Sequence, residues 1–183
     1  MPTPELVSRV DALGATRFEA VAFSHVSAAH DPLSGTGALI NGGRWNPPRS
    51  FATLYLGLDV DTVIDEFYRM TSRQGLTGDD FLPRRLYQVR VRLSSVVDLR
   101  TQGSRAALSL SDSLLRGDDP SACQAIGEAA HYLAHEGIVA PSAAGPGTIV
   151  AVFVRRVGAD SSLEIIDSIM WENPPRRDAA ARN

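Results

Sequence analysis

The chain has 183 residues, of which 44% are apolar and 21% charged, and its formal net charge is −3. This length and composition predict one domain with a full hydrophobic core. We expect residues 1–183 to form this single domain, with the core at about 15–171 and a flexible tail at 172–183. The acidic balance supplies no basic surface, so direct nucleic-acid binding is not expected.

Cysteine content and hydropathy indicate the compartment. Cys123 has no second cysteine with which to form a disulfide or a zinc cluster, which is typical of a reducing compartment. The N-terminal residues contain no apolar segment for export, and no run approaches the roughly 18 apolar residues of a membrane span. We therefore expect a cytoplasmic protein without membrane contacts.

The first 43 residues predict a helix, a strand and a long loop. The helix is expected at 4–13 and the strand at 17–26. The loop at 28–43 is rich in Gly, Ser, Asp and Pro, and loops of this length inside a domain are usually functional or mobile. It is not a dinucleotide fingerprint, because Ile40 stands where the third glycine belongs.

Three consecutive elements are together typical of a small-molecule site. The segment Gly-Gly-Arg-Trp-Asn-Pro-Pro at 42–48 excludes a helix or a central strand, since Gly and Pro disfavour both. A short buried strand is predicted at 52–56, and a helix at 61–74 with Asp59 or Asp61 as its N-cap. Polar groups on such short, stiff elements can converge on one cleft.

The second half of the chain mixes strands and helices without a regular βαβ alternation. A strand at 85–93 alternates apolar and polar residues, which is typical of a half-buried antiparallel strand. This order of elements predicts an α+β fold with a mixed or mostly antiparallel sheet and flanking helices. The other predicted strands lie at 96–99, 138–140, 148–155, 163–166 and 169–171, and the helices at 105–115 and 121–135.

Arg44, Tyr55 and Glu66 are candidate site residues, each with a structural alternative. Arg44 follows two glycines and is either a clamp for a phosphate or a surface arginine stacked on Trp45. Tyr55 is either a core aromatic or a ligand platform. Glu66 flanks the apolar stripe of its helix, and it is either solvated or a carboxylate that stabilises a positively charged sugar transition state.

Other kinds of chemistry have less support. Glu128, His131 and His135 share a helix face at metal-ligand spacing, but no further ligand is evident, and no metal is expected. Neither Ser34 nor Cys123 lies in a nucleophile signature, which disfavours a serine or cysteine hydrolase.

Five segments between about residues 23 and 154 form one specific combination. They are Asp-Pro-Leu-Ser-Gly at 31–35, Gly-Gly-Arg-Trp-Asn-Pro-Pro at 42–48, Leu-Tyr-Leu at 54–56 followed by Glu66, and the stretches at 121–127 and 137–143. Together they resemble the RES-domain proteins, the toxin halves of RES–Xre toxin–antitoxin pairs. The resemblance implies a fold similar to the ADP-ribosyltransferase toxins and an activity on NAD, with inorganic phosphate as a possible co-substrate. It also implies an Xre-like antitoxin that covers the site.

The resemblance assigns roles by position. Arg44 corresponds to the phosphate-binding arginine, Tyr55 to the aromatic residue on the nicotinamide side, and Glu66 to the glutamate of the name-giving Arg-Glu-Ser set. Two candidates stand for the serine. Ser121, in the helix-capping turn, is placed with the catalytic residues, and Ser142, in the Pro-Ser-Ala turn, with the NAD-binding residues.

Four further residues complete the NAD-binding set that the resemblance implies: Ser24, His25, Trp45 and Asn46. Many relatives carry an Arg–aromatic pair where this chain has Ser24 and His25. If that arginine binds the pyrophosphate, this chain lacks one clamp.

The leading hypothesis is a toxin that consumes NAD by cleaving the nicotinamide–ribose bond, by phosphorolysis or hydrolysis. The bond breaks through an oxocarbenium-like transition state with a cationic leaving group already in place, so binding and charge stabilisation suffice. One alternative is a mono-ADP-ribosyltransferase that modifies a specific cellular protein. Another is a catalytically weakened NAD-binding module, because Ser24 replaces the usual arginine.

Overall fold

The computed structural model describes residues 1–177, so residues 178–183 of the tail predicted at 172–183 lie outside the described residues. Within 1–177 the longest helix has 14 residues, and no helix combines the length and apolar character needed to cross a membrane. The strands are β1 (Thr16–Ser27), β2 (Thr53–Gly57), β3 (Arg84–Asp98), β4 (Gly137–Pro141), β5 (Thr148–Phe153) and β6 (Ser162–Trp171). The α-helices are α1 (Pro4–Leu13), α2 (Thr36–Asn41), α3 (Val60–Arg73), α4 (Gln102–Ala107), α5 (Asp112–Arg116) and α6 (Ser121–Tyr132).

The strands form one mixed sheet whose order is β1-β2-β5-β4-β3-β6. Because β1 pairs antiparallel with β3 along most of its length and with β2 at Phe23 and Gly57, the first five strands close into a ring. β6 pairs with β3 outside this ring. Within the described residues the parallel pairing is that of β3 with β4. The predicted α+β fold with a mixed, mostly antiparallel sheet is confirmed.

Alternation along the strands divides the core into two hydrophobic clusters. On β5, Val150 and Val152 belong to a cluster formed inside the ring of strands. Ile149, Ala151 and Phe153 point to the other face and join a cluster that α1 and α6 cover. This period of two follows from the pleat, and each fully buried aliphatic side chain contributes about 1.5–3 kcal/mol.

Helix α3 is fixed at its start and along its length. The Asp59 carboxylate accepts a hydrogen bond of 2.7 Å from the backbone N–H of Thr62, so Asp59 is the N-cap. The described part of the predicted tail, 172–177, packs against this helix. The Tyr68 hydroxyl donates to the Pro175 carbonyl at 2.8 Å, and Arg177 pairs with Asp65.

Three of the differences from the predicted bounds have a local reason. The loop at 28–43 contains the short helix α2, which starts after Gly35 in the left-handed region at φ 62°. The helix predicted at 105–115 is split into α4 and α5, and Ser109 has φ 55° in the break. Helix α6 ends at Tyr132 because Ala134, at φ 63°, cannot continue a right-handed helix.

Gly127 lets α6 approach the 42–48 segment, and its substitution tests that contact. A Cβ at this position would lie 1.7 Å from the Trp45 carbonyl oxygen. Gly127→Ala therefore forces helix and segment apart, and we expect the free energy of unfolding to fall by about 1–3 kcal/mol. Gly103→Ala, on exposed α4 with its nearest neighbour at 4.0 Å, should be neutral or stabilising. Urea denaturation measures both, and equal midpoints for the two variants would contradict the close contact.

Candidate active site

A cavity of about 710 Å³ opens between α3, the 42–48 segment and the ends of β1 and β2. Its volume lies within the range of roughly 300–1,000 Å³ found for small-molecule sites. Most of the predicted site residues line it: Ser24, His25, Arg44, Trp45, Tyr55 and Glu66. The predicted loop–strand–helix unit therefore converges on one cleft.

The Tyr55 hydroxyl ties the 42–48 segment to β2. It accepts a 2.8 Å hydrogen bond from the Trp45 backbone N–H and donates one of 2.8 Å to Asn46 Oδ1. Burial raises the pKa of Tyr55 well above its ordinary value, so the hydroxyl stays protonated and can donate. A Cβ on Gly43 would lie 2.5 Å from this hydroxyl, so Gly43 is needed for the close approach. The role of Tyr55 in the structure is thus partly architectural.

The buried side chains of Asn46 and Trp45 hold the 42–48 segment in place. Asn46 is fully buried and does not line the cavity, and its Nδ2 donates to the Ala38 carbonyl at 2.8 Å. The Trp45 side chain is also fully buried and packs in the cluster under α1 and α6. Gln124 of α6 donates to the Gly43 carbonyl at 3.0 Å. These contacts position the backbone that carries Arg44.

Arg44 offers positive charge to the cavity. Its Nη1 is buried, and within residues 1–177 it has no hydrogen-bond partner. Its neighbour Cys123 is fully buried, and that burial raises the pKa of the thiol to about 11, so Cys123 stays neutral and gives Arg44 no counter-charge. A buried donor without a partner costs free energy unless a ligand satisfies it.

Ser142, on the turn after β4, holds Glu66. Its hydroxyl donates a short hydrogen bond of 2.6 Å to Glu66 Oε1 and accepts one of 3.0 Å from the Ala144 backbone N–H. Ser142 is fully buried, whereas Ser121 is exposed at the start of α6, and neither residue lines the cavity. Of the two candidate serines, the structure brings Ser142 together with the glutamate.

The sequence analysis does not predict three further arginines that line the cavity: Arg69, Arg73 and Arg84. Arg69 and Arg73 follow Glu66 by three and seven residues on α3, so helical spacing could have found them. Arg84 comes from β3 and reaches the cavity through the pairing of β3 with β1, which no local pattern reveals. Four guanidinium groups thus face two lining carboxylates, those of Glu66 and Asp31.

His25 is a buried, neutral member of the cavity wall. Its Nδ1 accepts a hydrogen bond of 2.5 Å from Arg84 Nε, and its ring lies 5.3 Å from that of Phe67 and 5.5 Å from that of Trp171. Desolvation, aided by the charge of Arg84, lowers the pKa of His25 from 6.5 to about 3. Ser24, 8% exposed, adds only a small side chain beside it.

The Glu128, His131 and His135 set has structural contacts instead of ligand geometry. The His131 ring stacks on Phe51 at 4.0 Å, and His135 Nδ1 lies 2.9 Å from Ser95 Oγ. Within residues 1–177 no group of three or more His, Cys, Asp or Glu side chains is arranged to hold a metal ion.

The lowered pKa of His25 predicts a pH-dependent stability. The unfolded chain binds this proton near pH 6.5, whereas the folded protein binds it only near pH 3. The free energy of unfolding is therefore highest above pH 6.5. It declines as the pH falls, by up to about 1.4 kcal/mol per pH unit, because only the unfolded chain gains the proton. We expect the gap in unfolding free energy between wild type and His25→Gln, from urea denaturation, to narrow between about pH 7 and pH 4.5. A pH-independent gap would contradict a neutral, buried imidazole.

Comparison with known proteins relates this geometry to a family. Residues 17–171 match the family model described as the RES domain. The NAD(+) phosphorylase MbcT of Mycobacterium bovis and that of Mycobacterium tuberculosis are each 36% identical over 153 residues, which covers 82% of this chain and 82% of the relative. The crystal structure of the M. tuberculosis MbcT–MbcA toxin–antitoxin complex matches with a TM-score of 0.84 and 33% identity, over 92% of this chain and 93% of that chain. The cavity, the helix of Glu66 and the turn of Ser142 all fall within the matched residues, and this chain belongs to the RES domain family.

Proposed function

We propose that this protein is the toxin of a toxin–antitoxin pair and that it consumes NAD by phosphorolysis of the nicotinamide–ribose bond. The observation that carries the proposal is that Arg44 and the Glu66 carboxylate, which the Ser142 hydroxyl holds, line the same cavity. The relatives named NAD(+) phosphorylase support the same reaction.

Substrate binding rests on the arginine-rich wall. NAD carries its negative charge on the pyrophosphate, and the Arg44 guanidinium supplies a planar donor fork suited to phosphate oxygens. Arg44 lines the cavity, so its guanidinium can reach an anion bound there. The Tyr55 ring lines the same cavity on a rigid strand, where it can pack against the nicotinamide side of the substrate.

Cleavage needs stabilisation of positive charge on the ribose. As the C–N bond breaks, its electron pair leaves with nicotinamide, which departs neutral and needs no proton. The ribose carbon then carries oxocarbenium character, which the Glu66 carboxylate stabilises. The hydrogen bond of 2.6 Å from Ser142 keeps this carboxylate in place.

The acceptor completes the reaction. An oxygen of inorganic phosphate forms the new bond to the ribose carbon, which gives ADP-ribose phosphate and nicotinamide. The excess of guanidinium groups over carboxylates in the cavity suits a second anion next to the pyrophosphate. Water or a protein side chain as acceptor would define hydrolysis or ADP-ribosyl transfer.

We also propose an antitoxin partner. The M. tuberculosis relative was crystallised in a toxin–antitoxin complex, and this chain matches it over 92% of its length. An Xre-like antitoxin that covers the mouth of the cavity would keep NAD out until it is removed.

Purified protein, freed of any partner, tests the activity directly. We expect NAD loss that depends on added phosphate, with nicotinamide and ADP-ribose phosphate as products by chromatography and mass spectrometry. Glu66→Gln should lower kcat by about 10²–10³-fold, because it removes the charge that stabilises the transition state. Arg44→Gln should mainly raise the KM for NAD. Arg49→Gln should not, because Arg49 is exposed directly after the 42–48 segment and outside the cavity lining.

The outcomes of this assay separate the hypotheses. Loss without phosphate would indicate hydrolysis, and label transferred from NAD to protein would indicate a transferase. Absence of NAD loss would overturn the enzyme proposal and favour a binding module.

The two serines provide a second prediction. Ser142→Ala removes the hydrogen bond that orients Glu66, and we expect kcat to fall by about 10-fold with little change in the KM for NAD. Ser121→Ala, outside the cavity, should retain wild-type kinetics. Steady-state assays on both variants, with thermal melts to confirm folding, measure the difference. The reverse pattern would assign the functional serine to Ser121.

A further inference from the structure

The four arginines of the cavity fall into two pairs. Arg69 and Arg73 both have a carboxylate neighbour, with distances of 3.6 and 3.1 Å to Asp118 Oδ1. Arg69 also donates to the carbonyls of Ala143 and Arg116 at 2.8 and 2.9 Å. Within residues 1–177, Arg44 and Arg84 form no ion pair. Of the four lining arginines, these two are therefore the ones not engaged in an ion pair.

Arg84 is half-buried and held in one orientation. Its Nε donates to His25 Nδ1 at 2.5 Å, and its Nη2 donates to the His25 carbonyl at 3.3 Å. Within residues 1–177, Nη1 takes part in no hydrogen bond, and the residue lines the cavity. Burial lowers the pKa of this guanidinium, which is the sign of a desolvated charge without a carboxylate beside it.

His25 is a rigid acceptor for this arginine. Its ring meets Phe67 edge-on at 81° and lies tilted by 30° against Trp171, so neighbours on two sides fix its plane. Since Nδ1 accepts from Arg84, the ring proton is on Nε2. The β1–β3 register, in which Ser27 faces Arg84, brings the two side chains together.

We propose that Arg84, oriented by His25, binds phosphate oxygens of an anionic substrate, as a second cationic anchor in the cavity that holds Arg44. The inference rests on the proposed phosphorolysis of NAD. It explains how this wall carries a cation although β1 has the uncharged Ser24 there: the cation comes from the neighbouring strand β3. The phosphate oxygens belong either to the NAD pyrophosphate or to inorganic phosphate, and His25 is a positioning residue.

Arg84→Gln and Arg85→Gln form a matched pair for the test. Arg85 is the next residue on β3, lies outside the cavity lining and donates to Ser168 Oγ at 3.3 Å. Both substitutions remove one positive charge from the same strand. We expect Arg84→Gln to raise either the KM for NAD or the KM for phosphate by about 10- to 100-fold, which is the loss typical of a hydrogen bond to a charged group. Arg85→Gln should leave both KM values unchanged. The assay measures the KM for NAD at saturating phosphate and the KM for phosphate at saturating NAD.

Each result has one meaning. A higher KM for NAD places the pyrophosphate on Arg84, and a higher KM for phosphate places the co-substrate there. Equal kinetics for the Arg84 and Arg85 variants would overturn the anchor, while an active wild type would leave the proposed function intact. An inactive wild type would instead refute the proposed function. If Arg84→Gln unfolds at a lower temperature than the wild type, a second measurement tests the anchor. NAD or phosphate is titrated calorimetrically into Glu66→Gln and into the Glu66→Gln, Arg84→Lys double variant, and the two affinities are compared. Lys keeps the positive charge of Arg84 but lacks its planar donor fork.

The positioning role of His25 has its own readout. His25→Leu removes the acceptor and should raise the same KM as Arg84→Gln, by a smaller factor and with kcat little changed. His25→Asn places an amide oxygen close to the position of Nδ1 and should restore most of the affinity. Equal KM values for the Leu and Asn variants would contradict an orienting hydrogen bond.

Discussion

The site depends on the buried Tyr55 hydroxyl. The 42–48 segment belongs to no helix or strand, so its polar groups need partners elsewhere. The hydroxyl supplies two of them, to the Trp45 N–H and to Asn46 Oδ1, each at 2.8 Å. In an apolar surrounding such a satisfied network fixes one conformation, because every alternative leaves a buried polar group unpaired. The direction of Arg44 follows from that requirement.

Glu66 is positioned by apolar packing and not by a buried polar network. Helix α3, which carries it, has one face buried in the core and another face on the cavity. Ile64 and Phe67 of α3 are buried, while Glu66, Arg69 and Met70 face the cavity. Packing of the apolar face therefore sets the position of the glutamate, and Ser142 fixes its rotamer. Functional groups on a packed helix keep their geometry better than groups on a free loop.

Local patterns predicted the elements that carry the site, and they could not predict contacts between distant segments. The Gly- and Pro-rich segment, the strand of Tyr55 and the helix of Glu66 follow from composition and periodicity within about 25 residues. The choice between Ser121 and Ser142 depends on a contact across 76 positions of the chain. Arg84 is one of several arginines on an alternating strand, and only the register with β1 brings it to His25. Asn46 looks like a polar loop residue in sequence, yet it is fully buried.

Net charge is a poor guide to what this cavity binds. The chain as a whole carries −3, yet four guanidinium groups line one cleft. Arg69 and Arg73 are held by backbone carbonyls and by the exposed Asp118, whereas Arg44 and Arg84 form no ion pair within residues 1–177. A local positive cavity in an acidic protein attracts small anions that fit inside it. The positive charge of the cavity therefore suits a dinucleotide and free phosphate as the ligands of this site.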